Sequence, residues 1–172
     1  IAQAALRRCI QRFWRDEAIA CLPPMLRAAA GPYCDALLVR FDNPALAHQT
    51  AQIALDGSQK LPLRLLPTLR ARLSAGQRFE GCALAIAAWI RFLGGITEAG
   101  ASYDIGDPMR AELRARLDAA GPDARGQVEA VLGLRSVFGA DLAGHPALTA
   151  SVCAHLIGLR QGGTLGWLAR QP

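Results

Sequence analysis

The chain has 172 residues and 18.3 kDa, which suits one domain with a sizeable core. With 52% hydrophobic and 19% charged residues it is not a disordered chain, and its formal charge of +5 leaves anionic partners open. Only 6% of residues are aromatic, and alanine and leucine dominate, which favours packed helices over sheet.

In chain order, residues 2 to 18 read as an amphipathic helix: Leu6, Ile10 and Phe13 recur between Arg7, Arg8, Arg12 and Arg15, and Pro23-Pro24 stops it. Because residue 1 is isoleucine inside this pattern, the chain is expected to be a piece of a longer protein. A short helical turn is predicted over Met25 to Ala30, ended by Gly31-Pro32, then a helix over 33 to 42. Asn43-Pro44 carries the signature of an N-cap with proline in the first turn and opens a helix through Leu55. Asp56-Gly57-Ser58 breaks that helix. The next is predicted from about Pro62 to Ser74 with a kink at Pro67.

Phe79 to Leu93 is apolar nearly all round and therefore central to the core. Residues 94 to 106 form the longest irregular stretch, and Asp107-Pro108 opens a helix to about Ala120. Helices over 123 to 132 and 146 to 160 follow, with a loosely specified tail, GGTLGWLARQP. The expected fold class is all-α, with about eight helices.

Five scattered cysteines (Cys9, Cys21, Cys34, Cys82, Cys153) form no C-x-x-C pair, which argues against a disulfide framework or a zinc site. They are expected to be mostly small buried residues in a cytoplasmic protein. The most apolar run, CALAIAAWI, meets Arg91 after nine residues and is too short to span a membrane. No metal-ligand spacing links His48, His145 and His155. His145 before Pro146 reads as a cap, and His155 beside Val152 and Leu156 reads as a satisfied core or surface histidine. No nucleotide-binding glycine motif or nucleophile elbow is present.

Polar chemistry concentrates in residues 40 to 64, RFDNPALAHQTAQIALDGSQKLPLR, around the chain's single lysine, Lys60. His48 and Gln52 stand four apart on one helix face. Each residue also has a bland local role open to it, such as capping by Asn43, Asp56 and Ser58 or pairing of Arg40 with Asp42. Arg64, Arg70, Arg72, Arg110, Arg114 and Arg116 are spread along the chain in the manner of solvated helix faces.

The string RF-x-NP-x-L-x-H-x-T-x-QIA-x-DGSQKLP-x-R closely resembles the mannitol dehydrogenase family of long-chain polyol and hexuronate dehydrogenases. FWRDEA at 13 to 18, AAWIRFLGG and DIGDP at 104 to 108 extend the resemblance over essentially the whole chain. It implies that residues 1–172 are that family's helical C-terminal domain, of the 6-phosphogluconate dehydrogenase C-terminal type, closing over substrate beside an N-terminal dinucleotide-binding domain that carries NAD or NADP. It implies metal-independent hydride transfer between nicotinamide and a secondary alcohol carbon. The family's catalytic lysine, with its asparagine and histidine, belongs to a K-x-x-x-x-N-x-x-H motif absent here, so no catalytic residue is expected in this chain.

By resemblance Lys60 and Gln52 face the substrate, with Arg40, Asn43 and His48 as further candidates and Asp56, Gly57, Ser58 and Arg64 supporting the loop. Polyol-specific members often have arginine at the Gln52 position, and QIA-x-DGSQKLP is more similar to the hexuronate branch. The expected partners are a small sugar or hexuronate and the chain's own N-terminal domain, with no nucleic acid and no membrane. The competing reading is a stand-alone arginine-rich helical module that binds nucleic acid or an acidic partner.

Overall fold

The computed structural model describes residues 2–43 and 54–171, and those residues form nine α-helices. They are α1 (Ala2–Arg12), α2 (Pro24–Phe41), α3 (Gly57–Arg64), α4 (Leu66–Ser74), α5 (Glu80–Phe92), α6 (Arg110–Ala120), α7 (Ala124–Leu132), α8 (Arg135–Leu142) and α9 (Pro146–Arg170). The fold class is all-α, as expected. Among the described residues the only β pairing is an isolated antiparallel bridge between Ile96 and Ser102 inside the irregular stretch.

The core is built on α5. Its Cys82, Ala83, Leu84, Ile86, Ala87, Trp89 and Ile90 are all buried, as an all-round apolar helix requires. Its principal partner is α9, which presents Leu148, Val152, Leu156 and Leu159, spaced by three or four residues, as one fully buried stripe. The two run in the same sense. Glu80 at the start of α5 meets Ser151 and His155, and Arg91 near its end meets Thr164. Helices α6 and α7 pack on each other, α7 also lies on α9, and α3 is held against α4 and α8.

Several boundaries differ from expectation. Gly31-Pro32 does not divide α2, which is one helix from Pro24 to Phe41 with Pro32 inside it. A proline removes one backbone donor and crowds the preceding turn, yet alanine- and leucine-rich helix continues on both sides of it here. In contrast, the single helix expected over 62 to 74 is two. Helix α3 begins at Gly57, well before Pro62, and the chain breaks at Leu65. Pro67 therefore lies in the first turn of α4, where its missing N–H costs nothing, and the interruption expected of it falls at Leu65 as a break between two helices. The helix expected from Pro44 through Leu55 lies outside the described residues as far as 53, and residues 54–56 are a turn.

The chain-terminal region also differs. An unforeseen short helix, α8, contains the positive-φ Gly139, which weakened its helical signature. The tail expected to be loose is helical to Arg170, interrupted only at Gly163 with φ 64°. That left-handed residue turns the chain back on itself. A Cβ on Gly158 would overlap the Trp167 ring, although nine positions along a straight helix span about 13 Å. Of the cysteines, Cys82 is fully buried and the other four are half-buried. Burial, reinforced by the nearby Glu17 carboxylate, pushes the Cys82 thiol far above its ordinary value, so it is an inert packing residue.

Candidate functional site

The D-G-S-Q-K segment is the start of α3, with Lys60 in its first turn instead of in a loop. Asp56, the N-cap residue, is left-handed at φ 59°, the only described non-glycine residue with positive φ. Asparagine and aspartate tolerate this conformation better than other side-chain-bearing residues. In this geometry the Asp56 carbonyl accepts from the backbone N–H groups of Gln59 (3.0 Å) and Lys60 (2.9 Å). Its side chain makes no capping bond.

Ser58 and Asp56 find acceptors from a distance. Asp107 accepts from the Ser58 backbone N–H at 2.8 Å through Oδ2 and from the Ser58 hydroxyl at 2.6 Å through Oδ1. The Asp56 N–H donates to the Gly106 carbonyl at 2.9 Å. A Cβ on Gly57 would overlap the Trp89 indole, whereas one on Gly106 would meet only the far end of the flexible Leu55 side chain. The segments 54–58 and 105–109 thus form one interlocked unit seated on α5.

Lys60 is half-buried, and its Nζ donates to the Leu55 carbonyl at 2.6 Å. The ammonium is tied to the turn that precedes its own helix, which fixes a compact three-donor charge in place. Ser58 is buried, Asp56 and Gly57 are half-buried, and Arg64 is exposed. Arg40 and Asn43 are exposed at the C-terminal end of α2, where Arg7 pairs with Asp42. The suggested pairing of Arg40 with Asp42 is not the one formed, since Asp42 is taken by Arg7. Gln52 and His48 lie outside the described residues. The structure therefore brings together Asp56, Gly57, Ser58 and Lys60, and adds Asp107, Gly106 and Trp89. Asp107 was legible only as a cap of its own helix. The quoted string DIGDP was its one other signal.

The two described histidines, His145 and His155, behave as expected of cap and core residues. His145 Nδ1 accepts from the Leu148 N–H at the start of α9. His155 is buried, and its Nδ1 accepts from the Trp167 indole at 3.2 Å. That leaves Nε2 to donate to Glu80 at 3.0 Å. This histidine borders a cleft of about 440 Å³ over the N-terminus of α5, also lined by Arg12, Glu17, Arg72 and Arg78. The acids of this cleft are already engaged. Glu17 accepts from the N–H groups of Gly81 and Cys82, and Glu80 serves Ser151 and His155. It reads as the polar support of α5.

Arg7, Arg15, Arg70, Arg91, Arg110, Arg114, Arg116 and Arg125 each pair with a carboxylate, in the manner of solvated helix faces. Among the described residues no cluster of three or more His, Cys, Asp or Glu could hold a metal ion, and no helix is long and apolar enough to cross a membrane.

The family model of the mannitol dehydrogenase C-terminal domain matches residues 1–159. The chain is 44% identical to D-mannonate oxidoreductase of Escherichia coli over 110 residues, 64% of this chain and 22% of that protein. It is 32% identical to mannitol 2-dehydrogenase of Phaeosphaeria nodorum over 170 residues, 99% of this chain and 29% of that one. Its fold matches that of Pseudomonas fluorescens mannitol 2-dehydrogenase, solved as a ternary complex with NAD and D-mannitol. The TM-score is 0.87 at 26% identity, over 96% of this chain and 33% of the other. The chain spans a third or less of these relatives' length.

Proposed function

The chain belongs to the mannitol dehydrogenase family, as its C-terminal domain, and from that premise we propose that it forms the substrate-side wall of an NAD- or NADP-dependent oxidoreductase. The reaction is reversible reduction of a ketose or keto-hexuronate to the corresponding sugar alcohol or aldonate, as in fructuronate reductase or mannitol 2-dehydrogenase. Higher identity to D-mannonate oxidoreductase than to mannitol 2-dehydrogenase, over a shorter span, favours the keto-hexuronate. Glutamine in place of arginine at position 52 favours it too.

The observation that carries the reading is Lys60 fixed in the first turn of α3 by the Leu55 carbonyl. An open-chain sugar acid offers hydroxyl and carboxylate oxygens, and a pinned ammonium is suited to orient them. Gln52, His48, Arg40 and Asn43 are the accompanying candidates, braced by Asp56, Gly57, Ser58 and Arg64. The described residues contain no strand–turn–helix unit that would cradle a pyrophosphate, so they do not by themselves fit a dinucleotide. In the proposal NAD or NADP is held by a separate nucleotide-binding domain and supplies the hydride acceptor or donor. Met25, Tyr33, Val39 and Phe41 stand exposed on α2, apolar side chains of the kind another domain would cover.

The test is Lys60→Ala in the full-length enzyme. Losing one charge-assisted contact is expected to cost about 1.5–3 kcal/mol of transition-state binding, read as a fall in kcat/KM with helical content unchanged. Kinetic constants equal to those of the parent enzyme would return Lys60 to a solvated helix position.

A further inference from the structure

We propose that Asp107 is the positioning residue for Lys60, an inference that rests on the reading of Lys60 as a substrate contact. The path is a continuous chain of hydrogen bonds. Asp107 holds Ser58 by its backbone N–H and its hydroxyl, at 2.8 and 2.6 Å. Ser58 is the second residue of α3, so these bonds set where the helix begins and how it is rotated. Lys60 follows two residues later, its N–H on the Asp56 carbonyl and its ammonium on the Leu55 carbonyl. Leu55 in turn packs over Gly106, beside Asp107.

Asp107 is itself oriented. Its Oδ1 also accepts from the Met109 N–H at 2.9 Å, so one carboxylate serves the entrances of both α3 and α6. An anion is favoured at both helix N-termini, and Asp56 provides no side-chain cap of its own. The clamp spans 49 positions of sequence, so nothing local to the DGSQK segment replaces it.

Asp107→Asn is informative because neither amide orientation restores the pattern. With Nδ2 in the Oδ2 place it faces the Ser58 N–H, and in the Oδ1 place it faces the Met109 N–H. One backbone donor loses its acceptor either way. The clamp weakens while size and shape are retained.

The experiment is a double-mutant cycle on the full-length enzyme with its sugar-acid or ketose substrate and reduced cofactor, reading kcat and KM separately alongside the melting temperature. Lys60→Ala and Asp107→Asn are each expected to lower kcat/KM by about tenfold or more. The double variant is expected to fall no further than the worse single one, because both remove the same placed ammonium. A purely structural Asp107 would lower the melting temperature yet leave the two losses multiplying, and multiplying losses overturn the proposal. So does wild-type kcat/KM in Asp107→Asn. Should Asp107→Asn fail to fold, Ser58→Ala enters the same cycle. It removes only the hydroxyl bond and keeps the backbone one, and the same coupled or multiplying outcome decides. Wild-type kcat/KM in Lys60→Ala overturns the substrate-contact reading itself, and so is distinguishable from failure of the clamp alone.

Discussion

Gly57 is a residue chosen by what lies above it. The Trp89 indole occupies the space a Cβ would need, and its buried Nε1 finds no acceptor among the described residues. Leaving a buried donor unpaired is unfavourable. The ring is retained nonetheless, as the surface on which the α3 start rests and as a neighbour of Phe138, 6.3 Å away between centroids. Gly57→Ala forces this contact apart and is expected to destabilise the fold by about 1–3 kcal/mol through overpacking. Urea denaturation checks this, and an unchanged midpoint would show that the α3 start moves freely. The cost belongs to this position's surroundings, since alanine is otherwise the better helix former.

At the scale of elements, three helix starts are served by acids distant in sequence: Asp107 at α3, Glu17 at α5 and Glu98 after Gly163. Glu17 sits in a widened helical turn over Phe13–Ala18 and accepts from Gly81 and Cys82 at the start of α5. Such a turn inserts a residue into the helical register, and here it carries a buried carboxylate to another helix's unsatisfied donors. Glu98 does the same where the chain resumes its helix after Gly163. It accepts from the Thr164 hydroxyl at 2.6 Å and the Thr164 N–H at 2.7 Å, with Arg91 at 3.0 Å.

These Thr164 bonds, the hydroxyl first, hold the Glu98 carboxyl below the usual glutamate range, and Arg91 adds to them. A lowered native value means that folding favours the charged form. The stabilisation is therefore complete above the unfolded value of about 4.3 and disappears as pH falls through the lower native value. Glu98 is half-exposed, so the effect is small and screened. The melting temperature of Glu98→Gln is expected to lie below the parent's at neutral pH and to converge with it in acid. A gap that persists in acid would assign the difference to packing.

At the scale of the whole molecule, α5 and α9 make a core that requires no nucleotide or metal to explain it. The chain is expected to fold by itself with a cooperative helical unfolding transition, because its buried residues form one connected cluster. It is equally expected to show no turnover when mixed with NADH and fructuronate or fructose, because in the proposed enzyme the base and cofactor site lie in another part of the protein. Robust NADH oxidation by residues 1–172 would overturn that division of labour. Circular dichroism on the same sample separates an inactive folded domain from an unfolded one.

The sequence by itself determined the helical class, the central position of CALAIAAWI and the cap at His145. All of these are written in residues within a few positions of one another, where helical periodicity and capping act. Only the tertiary structure decided that DGSQK begins a helix and does not merely end one, because the acceptor for Ser58 is Asp107, 49 positions away. It also decided that Glu17 caps α5 across 64 and 65 positions, and that Trp167 folds back onto Gly158. Local patterns report which backbone donors a segment leaves unsatisfied. Which distant carboxylate meets them depends on how the helices pack, and that packing is settled by the burial of the whole core.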